Sequence, residues 1–124
     1  MIEVKLYKND MGNYHRYEVE GHAGYAEYGK DIVCAGVSAI TQSALLTLER
    51  ICINARSGYD EKRNYLYVTV PFYQITRKEV QAIFSLLELG IKSIEMAVPK
   101  NVKLEIIERN EPFAEYVRNS NKEE

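Results

Sequence analysis

Val37-Ser38-Ala39-Ile40-Thr41-Gln42-Ser43-Ala44-Leu45-Leu46-Thr47-Leu48-Glu49-Arg50-Ile51-Cys52-Ile53-Asn54-Ala55 is the stretch on which the architecture turns. Val37, Ile40, Thr41, Ala44, Leu45, Leu48, Ile51, Cys52 and Ala55 recur at helical spacing and form one wide apolar stripe. Gln42, Glu49 and Arg50 fall outside it. The pattern predicts a core-facing helix that ends at Ser57-Gly58, as helices commonly end at glycine.

Period-two patterns lie on both sides of this helix. Ile2, Val4 and Leu6 alternate with Glu3, Lys5 and Tyr7, the signature of a half-buried strand. Asn9-Asp10-Met11-Gly12-Asn13 is a turn cluster, and a strand from about Tyr14 to Glu20 follows, so the two should form an antiparallel hairpin. Downstream, Leu66, Val68 and Val70 alternate with Tyr65, Tyr67 and Thr69, and Pro71 closes that strand. Thr76-Arg77-Lys78-Glu79 has the form of a capping box opening a second helix, with Val80, Ile83, Phe84, Leu87, Ile91 and Ile94 on its apolar face. Gly90 is an unfavourable residue within it, and Pro99 stops it. Val102, Leu104 and Ile106 make a last strand.

The expected fold class is α/β of the α+β type: a small mixed sheet with two helices on one side, in the order ββαβαβ. Residues 1–110 read as a single catalytic domain and 111–124 as a polar tail, on which Phe113, Tyr116 and Val117 could dock. The other sheet face should display some of Tyr7, Tyr17, Tyr65 and Tyr67, a surface suited to a partner or to homodimerisation.

Composition narrows the function. The 124 residues are 46% hydrophobic and 27% charged, enough for one unstapled core. The net charge of −2, with no arginine-rich run, argues against a protein that grips nucleic acid by neutralising phosphates. Two cysteines, Cys34 and Cys52, make no disulfide framework and suit a reducing compartment. The alternating N-terminus is unlike a signal peptide, and no apolar run looks long enough to cross a membrane. A cytoplasmic location is therefore expected.

Chemistry points to residues 21–38. Cys34 falls in or just before the first turn of the long helix, where unpaired amides and the helix dipole favour a thiolate. His22 ends the second strand, and strand ends and helix starts gather along one rim of such a layer. A thiol within reach of an imidazole has the minimum equipment for covalent catalysis. A cysteine here could also be a small packed hydrophobe, and a histidine a surface residue beside a turn, as His15 is expected to be. Cys52 lies on the apolar stripe, where packing explains it. Asp31 has two readings: an N-cap for the helix, or a third member orienting His22. Ser38, one turn after Cys34, faces the same side and could bond the sulfur or a substrate carbonyl. The amides of Cys34 and Ala35 are the natural candidates for an oxyanion hole. Gly24 and Gly29 give the intervening loop the character of a lid. No dinucleotide-binding or Walker A loop, no close-set zinc ligands and no CxxC pair occur.

Gly21-His22-Ala23, followed by Asp31-Ile32-Val33-Cys34-Ala35-Gly36-Val37-Ser38, resembles the ribosomal-processing cysteine protease family, Prp. The resemblance implies a cytoplasmic, dimeric endopeptidase that removes the N-terminal extension of a large-subunit ribosomal protein, the twenty-seventh. It implies His22 and Cys34 as the catalytic pair, with no metal or organic cofactor, and gives Asp31 and Ser38 motif positions of less settled role. It also implies a mobile loop over residues 23 to 33 and cleavage after aromatic residues, for which Tyr25 and Tyr28 are candidate pocket walls. The rival reading is a non-catalytic ribosome-associated module that grips protein or RNA through its tyrosines.

Overall fold

The structure is a computed structural model that describes residues 1–27 and 30–111. The chain forms β1 (Ile2–Lys8), β2 (Tyr14–Glu20), α1 (Ile32–Ile51), β3 (Arg56–Asp60), β4 (Tyr65–Thr69), α2 (Lys78–Ala97) and β5 (Val102–Glu108). One sheet runs β3-β4-β2-β1-β5; β1 and β5 pair in parallel, and the other pairs are antiparallel. The α+β class stands, with β3 as an additional edge strand. Ser57 and Gly58 lie in β3 rather than closing α1, which ends at Ile51. The tail from residue 112 onward lies outside the described residues.

The core occupies one face of the sheet. Alternation puts Ile2, Val4 and Leu6 of β1, Tyr17 of β2, Val68 of β4 and Val102 of β5 in a single buried cluster with Val37 and Leu48 of α1 and Phe84, Leu87 and Ile91 of α2. Phe84 stacks on Tyr14 at 5.7 Å between ring centres and meets the edge of Tyr17 at 6.1 Å. The buried Tyr17 hydroxyl donates to the Thr41 carbonyl at 2.7 Å, which fastens β2 to α1. α1 has 20 residues and is long and apolar enough to cross a membrane by length and composition alone, against the expectation that no run would be. Its Val33, Val37, Thr41, Ala44 and Leu48 face is instead buried in the core.

Gly90 has a packing reason. A Cβ there would lie 3.1 Å from Cδ1 of Ile40, so glycine lets α2 come close to α1. The capping box does not form: the N-cap of α2 is Arg77, without a side-chain cap, and Glu79 pairs with the Arg77 guanidinium at 2.7 Å. The Thr76 pattern is matched in sequence, but the helix begins one residue later.

The opposite sheet face carries a buried polar layer in place of the expected tyrosine surface. Arg16, fully buried, reaches Glu18 Oε2 with Nε at 3.0 Å and Nη2 at 2.9 Å, and Thr69 Oγ1 with Nη1 at 2.6 Å. Its guanidinium stacks 4.5 Å from the Tyr67 ring centre. The hydroxyls of Tyr7 and Tyr65 donate to the two Glu18 oxygens at 2.9 and 3.0 Å. Tyr7, Tyr65 and Tyr67 are at most 9% exposed and Tyr17 faces the helices, so none of them offers a partner surface. His15 is also buried, not a surface histidine, with Nε2 2.7 Å from the Arg109 carbonyl.

Burial would push the Glu18 carboxyl up, but the Arg16 charge and the hydroxyl and guanidinium hydrogen bonds outweigh it and hold it below the ordinary glutamate value. Removing the cation would strand a buried carboxylate. Arg16→Met should therefore cost about 3–5 kcal/mol in urea denaturation at pH 7. The penalty should shrink as the pH falls, beginning above the ordinary glutamate value of about 4.3, because burial without the cation makes the stranded Glu18 take up a proton early.

Candidate active site

Two connections bring residues 21–23 and the start of α1 together. Gly21 has φ +100, and a Cβ on it would collide with the Met1 carbonyl, so no other residue fits where the chain leaves β2. Its amide donates to the Asn64 carbonyl at 3.1 Å and its own carbonyl accepts from Asn64 Nδ2 at 2.7 Å. Ala23 is buried, and its carbonyl accepts from Asn101 Nδ2 at 2.9 Å. His22 stands between these two anchored residues with an exposed ring.

Asp31 closes the other side. Its extended backbone makes it the N-cap of α1, and Oδ1 accepts from the amides of Val33 and Cys34, both at 3.0 Å. Oδ2 turns back to the loop and accepts from Tyr25 at 3.0 Å and Ala26 at 3.2 Å. The carboxylate thus does the work of a cap and of a loop anchor, and all four of these bonds are to backbone. The Cys34 amide leads the hydrogen bonds that hold its carboxyl below the ordinary aspartate value. The loop expected to act as a lid is tied down at Tyr25 and Ala26.

Cys34 is the third residue of α1 and partly buried, and the Ala23 amide donates to its Sγ at 3.3 Å. A donor on the sulfur and a helix N-terminus beneath it both favour negative charge there. His22, Cys34 and Ser38 line two adjoining cavities. The first, about 400 Å³, continues over Val19, Leu45, Leu66 and Tyr59; the second, about 510 Å³, continues over Gly24, Ala26, Asp31 and Ala35. The imidazole and the thiol therefore face common space.

Several expected roles change. The Cys34 amide is occupied by Asp31 Oδ1, and the Ala35 amide by the Asp31 carbonyl at 3.1 Å, so neither is available as an oxyanion donor in this arrangement. Helix geometry explains this, since a capped N-terminus has already satisfied its first amides. Tyr25 is half exposed and lines neither cavity, while Tyr28 lies outside the described residues. Cys52 is buried at the far end of α1, roughly 27 Å away by helix rise, and burial pushes its thiol up. Among the described residues no cluster of His, Cys, Asp and Glu could hold a metal ion.

Two asparagines escaped the sequence reading. Asn64 Nδ2 lies 3.5 Å from His22 Nδ1, and its Oδ1 accepts from the Tyr59 hydroxyl at 2.7 Å. Asn64 sits in the β3–β4 turn with φ +48 and Asn101 follows α2. Asparagine is common in turns, so nothing in sequence marks either as part of a site.

A thiol at a capped helix start, an imidazole on the same cavities and an open groove on each side define a cysteine hydrolase type of site. Comparison with known proteins gives the same class. The family model described as cysteine protease Prp matches residues 1–103, and the chain belongs to this family of cysteine proteases. A ribosomal processing cysteine protease Prp of Staphylococcus aureus is 32% identical over 109 residues, covering 84% of this chain and 97% of the relative. The crystal structure of the S. aureus protease with a covalently linked product peptide superposes with a TM-score of 0.75 at 28% identity, covering 86% of this chain and 99% of that one. The SMU.848 structure from Streptococcus mutans gives a TM-score of 0.76 at 29% identity, over 88% of this chain and 96% of that one.

Because the folded state depresses the Asp31 carboxyl, its contribution to stability is present above the ordinary aspartate value and is lost as pH falls through the depressed one. Asp31→Asn should lower the melting temperature at pH 7. Thermal scans across pH should show the difference closing below about pH 4, where aspartate in the unfolded chain takes up its proton before the folded Asp31 does.

Proposed function

We propose that this protease removes the N-terminal extension of a large-subunit ribosomal protein, the twenty-seventh, through a thioester intermediate formed on Cys34. The observation that carries the reading is the shared cavity wall of His22 and Cys34, with the Ala23 amide on the sulfur. His22 takes the Sγ proton, and the thiolate adds to the scissile carbonyl. The tetrahedral intermediate collapses as His22 returns the proton to the leaving amine, leaving an acyl thioester on Cys34. Water, deprotonated by His22, then attacks the thioester and releases the acid and the thiol.

The substrate strand would cross from one cavity to the other, past the sulfur. The apolar side chains of Val19, Leu45 and Leu66 in the first cavity suit the aromatic residue before the cleaved bond that the family resemblance implies. Ser38 is the candidate oxyanion donor that remains on the cavity wall, with the Cys34 and Ala35 amides occupied and the Ala23 amide committed to the sulfur. The covalently linked product peptide of the S. aureus relative supports a covalent route. A cytoplasmic homodimer that needs no cofactor completes the reading, on the family resemblance. The alternative of a binding module loses its surface, since the tyrosines it needed are buried.

Cys34→Ala and Cys34→Ser should abolish conversion of the extended ribosomal protein to its mature form, read by mass spectrometry, while the melting curve persists. His22→Ala should be nearly as damaging, by roughly 10²–10⁴-fold. Cys52→Ala should keep most of the activity and cost about 1 kcal/mol of stability. Full conversion by Cys34→Ala would end the proposal.

A further inference from the structure

The amide of Asn64 is oriented by chemistry that leaves one choice. A carbonyl oxygen can only accept, so the atom 2.7 Å from the Gly21 carbonyl must be the nitrogen, Nδ2. The Tyr59 hydroxyl satisfies Oδ1 at 2.7 Å. The second N–H of Nδ2 is then the group facing His22 Nδ1 at 3.5 Å, and that ring nitrogen has to accept. In a neutral imidazole an accepting Nδ1 places the proton on Nε2.

That tautomer is the wrong one for a base acting at Nε2, the nitrogen turned away from Asn64. We propose that Asn64 is a positioning residue that sets the tautomer of His22. In the resting protein it holds the proton on Nε2, and its amide must turn before Nε2 can take the proton of Cys34. After the turn Oδ1 faces the ring, the proton resides on Nδ1 and is donated to Oδ1, and Nε2 has the lone pair that accepts the Sγ proton. The products are a thiolate and an imidazolium, with no atom gained or lost. The Tyr59 hydroxyl can donate or accept and so serves both orientations, whereas the Gly21 carbonyl serves only the first. The assignment rests on the pairing of His22 with Cys34 put forward above.

Asp and Gly variants keep the turn, because φ +48 at residue 64 suits Asn, Asp and Gly. Their melting curves verify the fold. Asn64→Asp replaces the donor by a permanent acceptor, and Asn64→Gly removes the group. The tautomer is read from ¹⁵N shifts of histidine-labelled protein at about pH 8.5, where neutral rings dominate; His22→Gln assigns the signals against His15.

The wild type should show His22 protonated on Nε2 and Asn64→Asp should show it on Nδ1, with His15 unchanged in both. Asn64→Asp should also alkylate at Cys34 with iodoacetamide about tenfold faster at pH 7, because a carboxylate favours the imidazolium that stabilises the thiolate. An unchanged His22 tautomer in folded Asn64→Asp overturns the proposal, as does a wild-type ring already protonated on Nδ1. A tautomer that moves while alkylation does not upholds the role of Asn64 and breaks the His22–Cys34 pairing beneath it.

Discussion

A single carboxylate gathers the parts of the site. Asp31 accepts two amides from the first turn of α1 and two from the loop that arrives from His22. A helix N-terminus exposes donors that must find acceptors, and a loop folded back over it has the same need. One side chain with two oxygens meets both needs at once. The result fixes the direction in which α1 begins, and with it the place of the Cys34 sulfur relative to the Ala23 amide. Gly21 supplies the complementary constraint, since its backbone and its closeness to Met1 exclude a side chain. Between these two fixed points the chemistry-bearing residues have little room to separate.

The stability of the platform comes from elsewhere. A conventional apolar core joins the helices to one sheet face, while the other face holds a buried ion pair ringed by tyrosine hydroxyls. Such a layer is rigid when every lone pair is met and costly when one partner is missing. It spans the strands β1, β2 and β4, and β2 leads directly into Gly21 and His22. A stiff β2 end is a good base from which to hold an imidazole, because small displacements of a reacting group weaken catalysis steeply.

Much of this was legible in the residues. The stripes of α1 and α2 and the alternation in β1, β2, β4 and β5 follow from apolar periodicity, which a single element shows by itself. Cys34 at a helix start and His22 at a strand end were legible for the same reason. Arg56-Ser57-Gly58-Tyr59-Asp60 was not, because an exposed edge strand needs no apolar face and Gly58 mimics a helix stop. Thr76 and Glu79 have capping-box spacing, yet Arg77 pairs with Glu79 and α2 starts after it. Tyrosine next to polar residues reads as a surface, and only the arrival of Arg16 and Glu18 beside Tyr7 and Tyr65 turns it into an interior.

The sequence alone determined the class of fold, the Cys–His equipment and the kinship to the Prp proteases, because these rest on local periodicity and on short motifs. Tertiary structure alone decided that Asp31 serves backbone amides, that the Cys34 and Ala35 amides are occupied, and that Asn64 meets His22 from 42 positions away in the chain. Those outcomes depend on which donors and acceptors are brought to the same few ångströms. A hydrogen bond is satisfied by a neighbour in space, and spatial neighbours are set by packing and strand pairing, which no spacing along the chain encodes.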